Sequence, residues 1–511
     1  MKIELEALIG FAVVCFLVGD RSEGAVVPVR PRNNAVIPVS PPARFQWRGD
    51  GKSVQLLFST SKRFPSSSTL RLPDDGVAGS EWEPDSEAWA DILRLAAVGG
   101  GDLYWRVEEL GGVGGADEKV AAGKARKNSR HLQFQKYTAV MSTRSATFDA
   151  GSLASASTVA PWSSNANLVS TVYSDHVVVS HAGAVYEILR YNLDSVIKYR
   201  ATDIGPKGVV YQYSTKDAPG AATSNPYDLG FVSDTKAYLT RYESAKLWVV
   251  NPSASSQAGF KVGEIDLSSL ADEDGIPEMS SVIVLPERNL AFVACQRLNR
   301  NAGWVPVQPS YLAVIDTKTD KLIKIGQAPG IELVGTNPAA SGSALLYSPE
   351  LDRVFVVCSG KLPGWDGSPA KYNGGIEVVN PSGLVSEGLL VDDGPEASPS
   401  LGGNFFGGLA IFSPSLGAFV VYAGWGDNRV LTFNPTTGEV YGTLGDLNGR
   451  GIDMIAGDPF CNLWVSDADS STMRVYNPKT GSRIAELRTG LIANSITFVG
   501  PIGKRGGTGQ R

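Results

Sequence analysis

The sequence predicts an all-β protein, a small N-terminal β-sandwich followed by a seven-bladed β-propeller closed by both chain ends. Three observations carry that prediction. Strand-and-turn units recur as "KLWVVNPSAS", "LAVIDTKTDKLI", "IEVVNPSGLV", "VLTFNPTTGEV" and "MRVYNPKTGSRI", with their Asn-Pro or Asp-Thr pairs at 251, 316, 380, 434 and 477. A second alternating strand precedes each unit, as in "KAYLTRY", "LAFVACQ", "RVFVVCS", "AFVVYAG" and "NLWVSDA", and an apolar strand such as "YDLGFVS" or "GGLAIFSP" comes before that. Finally, 57 glycines and 30 prolines in a chain of 511 residues rich in Val, Thr and aromatics favour short strands cut by turns.

The turns explain the recurrence. Asn or Asp accepts a hydrogen bond at the first turn position, Pro presets φ at the second, and Gly438 or Gly481 takes the left-handed position that closes the hairpin. Each group of four short strands is too small to hide both of its faces alone. Stacking such groups radially around an axis solves that problem. Inner strands near residues 176, 228, 280, 342, 408, 451 and 493 give the blade count. The last, "NSITFVG", has a single strand before the tail, so its three partners are expected from residues 131–158, which would remove the open sheet edges.

In chain order, residues 1–24 read as a signal peptide or short N-terminal anchor. The apolar run from Ala7 to Gly19 fits a signal core, and Ser22-Glu23-Gly24 supplies a small-x-small cleavage site. Residues 25–110 carry the aromatic, alternating strands "ARFQWRG", "SVQLLFSTS" and "DLYWRVEEL". With Trp47 in an early strand and Tyr104-Trp105-Arg106-Val107 in a late one, this stretch resembles a fibronectin type III-like domain. One departure stands inside it. In "PDSEAWADILRLAAVGG", Trp89, Ile92, Leu93 and Ala96 share a helical face, with Asp85 or Ser86 as N-cap and Gly99 as stop, so a short helix replaces a strand. Residues 111–130 are Gly-rich and then basic (Lys124, Arg126, Lys127, Arg130), a flexible linker. The propeller is expected over 131–500, and 501–511 form a disordered tail. Cys295, Cys358 and Cys461 remain after the signal, each in or beside an apolar strand, as small buried hydrophobes.

Within the repeats, "AYLTR" and "LWVSD" look like the second-strand signature of the YVTN-type propeller repeats of bacterial and archaeal cell-envelope proteins, and "AVIDTKTDKLIKI" is close to their third and fourth strands. The resemblance covers about 370 residues. Long insertions in the third and fourth blades depart from it. It implies an exported propeller, periplasmic, secreted or at the cell surface.

A formal charge of −6 provides no basic field for a polyphosphate, so a nucleic-acid partner is not expected. Contact with a membrane is expected at most through the N-terminus. No G-x-S-x-G elbow, C-x-x-C-H motif or close histidine spacing marks an active site or a haem, and no cofactor is expected. Ca2+ is the one ion left open, at Asp272, Asp274 and Glu278 in "LADEDGIPEM", oxygen donors along a tight Gly turn that lack the further ligands of an EF-hand.

The sharper candidates lie elsewhere. Gly-Trp occurs at 303–304, 364–365 and 424–425, always after a second strand, which places Trp304, Trp365 and Trp425 in loops on one face. Indoles there are suited to stack on sugars, peptide side chains or cations. The plainer account is that each folds over its own loop. Arg190, Arg241, Arg297 and Lys361 end the second strands of the first four blades. If they converge they can bind a carboxylate or phosphate, and otherwise they are solvated or paired with neighbouring acids.

The resulting expectation is an exported, non-enzymatic propeller that binds an envelope ligand or protein, with a glycan or an anionic group as its target, through its Trp- and Arg-bearing loop face. The alternatives are a Ca2+-dependent lactonase or hydrolase and a structural or adhesive surface protein.

Overall fold

The computed structural model describes residues 26–49, 53–110, 128–364, 367–424 and 426–500. The expected signal peptide, most of the linker and the C-terminal tail lie outside them.

Near the N-terminus two sheets enclose one core. Val27–Arg30, Phe45–Arg48 and Glu81–Trp82 form the smaller sheet. Ala35–Ile37, Arg130–Phe134, Asp102–Glu109, Val54–Ser59 and Thr69–Val77 form the larger, in that order. Period-two alternation sends Phe45 and Trp47 from one sheet and Phe58 and Trp105 from the other inward. Phe45 meets Phe58 and Trp105 edge-on, with centroids 5.1 and 4.9 Å apart. The predicted helix is present as α1, Ser86–Val98, capped by Asp85, whose carboxylate accepts from the Ala88 amide at 2.8 Å, and ending at Gly99. Arg130–Phe134 belongs to this module and not to the propeller region, a correction to the expected boundary. Leu132 and Phe134 are buried in its core, and the strand completes an otherwise open edge of Asp102–Glu109.

The remaining chain is a β-propeller. Among its described residues are seven sheets of four or five antiparallel strands, which we number I to VII. Their innermost strands are His176–His181 (I), Pro226–Ser233 (II), Met279–Leu285 (III), Leu345–Ser348 (IV), Asn404–Ser413 (V), Ile452–Gly457 (VI) and Ile492–Val499 (VII). Each touches the next, and VII touches I. Sheet VII joins the last strand to Thr138–Arg144, Gly151–Ser157 and Ser164–Thr171, so its outermost strand lies beyond the expected 131–158.

Antiparallel order separates the connections. Those from second to third strand and from one sheet to the next lie on an upper face, and those from first to second and third to fourth strand lie on a lower face. The N-terminal module docks on the lower face through α1. Asp91 accepts from Lys479 Nζ at 2.7 Å, Ala97 O accepts from the Ala160 amide at 2.9 Å, and Glu87 accepts from the Ser415 amide at 3.2 Å. Phe460, from a lower loop of sheet VI, is fully buried in the module's core. Phe460→Ala is therefore expected to cost about 3–5 kcal/mol, read as a lower urea midpoint together with faster proteolysis between the two parts.

The three cysteines left after the expected signal are free, with Cys295 and Cys358 buried and Cys461 half-buried.

Candidate functional site at the upper mouth of the axial cavity

A cavity of about 2320 Å³ runs along the propeller axis. Pro41, Trp89 and Tyr137 line its lower end, where the N-terminal module covers it. The upper end is lined by polar and aromatic side chains from sheets I, II, V, VI and VII.

Two arginines organise this mouth. Arg190 follows the second strand of sheet I, Ala184–Leu189. Its guanidinium meets Asp175 at 2.9 Å and lies 3.8 Å above the Tyr227 ring, while Nε has no hydrogen-bond partner. Burial works against its charge, but Asp175 and the Tyr227 hydroxyl outweigh that and raise its pKa. Arg144 ends the second strand of sheet VII. Its Nε donates to Asp453 at 2.7 Å, and the group stacks on Phe148 at 4.2 Å. Burial lifts the Asp453 carboxyl above its usual range, and Arg144 opposes the lift. Both guanidiniums are thus held by an aspartate on one side and a ring on the other, which fixes their forks at little further entropic cost on binding.

Segment 340–343, ahead of the short inner strand of sheet IV, reaches into the mouth. Ala340 O accepts from the Tyr227 hydroxyl at 3.0 Å, and Ser341 Oγ accepts from the Gly407 amide at 3.0 Å, which ties sheet IV to sheets II and V.

Below the mouth a buried network joins sheets VII and I. His176 Nε2 donates to Thr143 O at 3.0 Å, its Nδ1 lies 2.7 Å from Glu187, and Glu187 accepts from the Tyr199 hydroxyl at 2.8 Å. A Cβ on Gly151 would come within 2.6 Å of His176 Nε2 and 2.4 Å of Tyr173 O, so this position requires glycine.

The other predicted residues lie apart from the mouth. Arg241 is buried, paired with Asp217 at 2.6 Å and stacked on Trp248 at 4.3 Å within sheet II. Arg297 donates to Pro309 O and lies 5.3 Å from the Tyr311 ring. Lys361 Nζ donates to Ser368 Oγ at 2.9 Å and Pro369 O at 2.8 Å, closing its own loop. The four cations therefore do not converge. The loop after each second strand differs in length, so equal sequence positions lead to different directions in space. Trp304 is 47% exposed on the upper face, beneath the Arg300 guanidinium at 4.7 Å. Trp365 and Trp425 lie outside the described residues.

Two of the three expected Ca2+ ligands, Asp274 and Glu278, are brought together, but around a cation the chain itself supplies. Arg300 Nε donates to Glu278 at 2.8 Å and lies 3.7 Å from Asp274, and its terminal nitrogen bonds Glu243. The Asp272 carboxylate accepts from the Asp274 amide at 3.1 Å.

The sequence reading missed Arg144, although "TAVMSTR" ends in arginine as "KAYLTR" does. The signal was present, but strand assignment in sheet VII depended on ring closure.

No family model matches the chain, and no curated protein matches it. Solved structures similar to it include a 6-phosphogluconolactonase-like protein from Bacteroides uniformis ATCC 8492 (12% identity, 71% of this chain and 100% of that one, TM-score 0.49). AztD from Citrobacter koseri is 12% identical over 73% of this chain and 100% of its own (TM-score 0.41). Kuenenia stuttgartiensis hydrazine synthase is 14% identical over 62% and 87% (TM-score 0.45). None of these likenesses carries chemistry over to this chain.

Proposed function

We propose that this protein is an exported, non-enzymatic binding propeller whose seven sheets are the blades of one ring, closed by both chain ends. The fibronectin-like sandwich acts as its spacer and covers the lower end of the axis. The ligand is an envelope component, a glycan or a group bearing an anionic oxygen, taken at the upper mouth. The observation that supports this is the pair of guanidiniums, Arg144 and Arg190, each fixed by an aspartate and an aromatic ring at the uncovered end of a cavity of about 2320 Å³. Such a mouth offers directional donors beside flat apolar surface, which suits hydroxyl-rich or carboxylate-bearing ligands. Exposed Phe148 and Tyr191, and farther out Trp304, extend it as a stacking surface.

The test is retention of glycans and envelope extracts on the full chain. Arg190→Lys keeps the charge but loses the planar fork. It should weaken retention roughly 10- to 100-fold, as expected for losing a charge-assisted hydrogen bond, with little change in melting. Undiminished retention in both Arg190→Lys and Phe148→Ala would move the ligand away from this mouth.

A further inference from the structure

The upper connections of sheets II, III and IV share a backbone knot. Asn225 and Glu278, immediately ahead of their inner strands, and Asn337, eight residues ahead of Leu345 in sheet IV, adopt left-handed φ values of 46°, 45° and 58°. Their carbonyls accept from the amides that follow the second strands, Tyr242 at 2.9 Å, Gln296 at 3.2 Å and Ser359 at 3.0 Å. Each knot holds a carboxylate nearby, and two of the three neutralise it with their own side chains. In sheet II, Asp194 accepts from the Asn225 amide at 2.9 Å and has Lys216 Nζ at 3.6 Å. In sheet III, Glu278 has Arg300.

Sheet IV differs. Its carboxylate is Asp393, fully buried, with one oxygen accepting from the Gly374 amide at 3.1 Å and the other without a partner. Three further side-chain oxygens in the same knot also lack hydrogen-bond partners, Asn337 Oδ1, Ser359 Oγ and Asn373 Oδ1, whereas in the sheet II knot only Asp194 Oδ2 and Asn225 Oδ1 do and Lys216 supplies the charge. Asn337 is 7% exposed and Ser359 is 1% exposed. Asn337 Nδ2 donates to Gly360 O at 3.1 Å, which leaves Oδ1 as the unpaired end of the amide. Asn373 Oδ1 lies 3.0 Å from where a Cβ on Gly360 would stand, and Gly360 has φ +63°. The two lysines of this loop point elsewhere, Lys361 to Ser368 and Pro369, and Lys371 to Glu396 at 2.6 Å. Buried acceptors left unpaired around a buried carboxylate are costly unless a positive partner reaches them.

We propose that Asn337, Ser359, Asn373 and Asp393 bind a hard, oxygen-seeking cation, Ca2+ in a site of low carboxylate count, which takes the place that Arg300 and Lys216 fill in the neighbouring knots. Oxygen donors of this kind select Ca2+ or Na+ over transition metals. The bound ion would pin the long loop between the second and third strands of sheet IV. This inference is independent of the mouth and its ligand.

The test uses the full chain after chelation, with melting followed as CaCl2 is raised through about 10⁻⁴ to 10⁻² M at fixed ionic strength, the range for sites with few charged ligands. Parallel NaCl and KCl arms identify the ion. A saturable rise in melting temperature with Ca2+ or Na+ is expected, because only the folded chain holds the site. Asp393→Asn and Ser359→Ala should each weaken the response about tenfold or more, while Asp274→Asn in the Arg300 knot should leave it intact. Should Asp393→Asn fail to fold, Ser359→Ala and Tb3+ emission excited through the adjacent Tyr372, displaced by Ca2+, decide the matter. No response to any of these ions, or a response undiminished in both variants, would assign the knot to ordered water and overturn the proposal.

Discussion

A chain ending at Leu491 is expected to lose cooperative unfolding altogether and to aggregate. Ile492–Val499 is the inner strand of sheet VII and pairs with Thr138–Arg144 from Ile492 opposite Arg144 to Val499 opposite Thr138. Its side chains also fasten both neighbouring sheets. Ser495 Oγ lies 2.6 Å from Ser142 Oγ and accepts from the Val178 amide at 2.9 Å, Ala493 O accepts from Ser466 Oγ at 2.5 Å, and Phe498 meets Trp464 edge-on at 5.7 Å. Removing the strand would open a long edge on Thr138–Arg144 and expose Met141 and Trp464 together. The loss affects every sheet, because inner strands that touch in succession support one another only while the succession is complete. Calorimetry of the truncated chain checks this. A single sharp transition within a few degrees of the intact protein would show that the ring does not depend on its last strand.

The second large effect is expected at Glu187. Its two oxygens hold His176 and Tyr199 in a site where the imidazole and the carboxylate are almost completely enclosed. The Thr143 carbonyl can only accept, so His176 Nε2 donates to it while Nδ1 faces the carboxylate. Glu187→Ala leaves that imidazole and the Tyr199 hydroxyl buried without their partner. Breaking a buried pair in this way costs about 3–5 kcal/mol. The expected result is a large drop in the urea midpoint, with Glu187→Gln, which keeps the shape and one acceptor, falling in between. Equal midpoints for Ala and Gln would mean that packing and not the polar network sets stability at the seam between sheets VII and I.

Much of this architecture was legible without coordinates, for local reasons. The Asn-Pro and Asp-Thr turns, the alternation before them and the capped helix are properties of short segments. The strands and α1 accordingly fall where periodicity and capping place them, and the inner strands of sheets I, II, III, V, VI and VII start close to the expected positions. That of sheet IV starts as near to its expected position but is the shortest of the seven. It shrinks to Leu345–Ser348 because residues 340–343 are drawn into the mouth by Tyr227 and Gly407, partners far away in sequence.

The candidate site was only partly legible. That a cation ends the second strand in each of the first four blades is written in the chain, and Arg190 does stand at the mouth. Whether such a cation faces the axis depends on what else is near it. Arg241 finds Trp248 inside its own sheet and Asp217 in the connection that leads into it, whereas Arg190 finds Tyr227 from the next sheet. By itself the sequence determined the strands, their turns and the helix, because hydrogen-bonding capacity and side-chain period act over a few residues. Only the tertiary structure decided that Arg144 joins Arg190, that Arg300 neutralises Glu278, and that Asp393 is buried with no cation of its own among the described residues. Each of those facts is set by which loops, distant in sequence, the fold brings side by side.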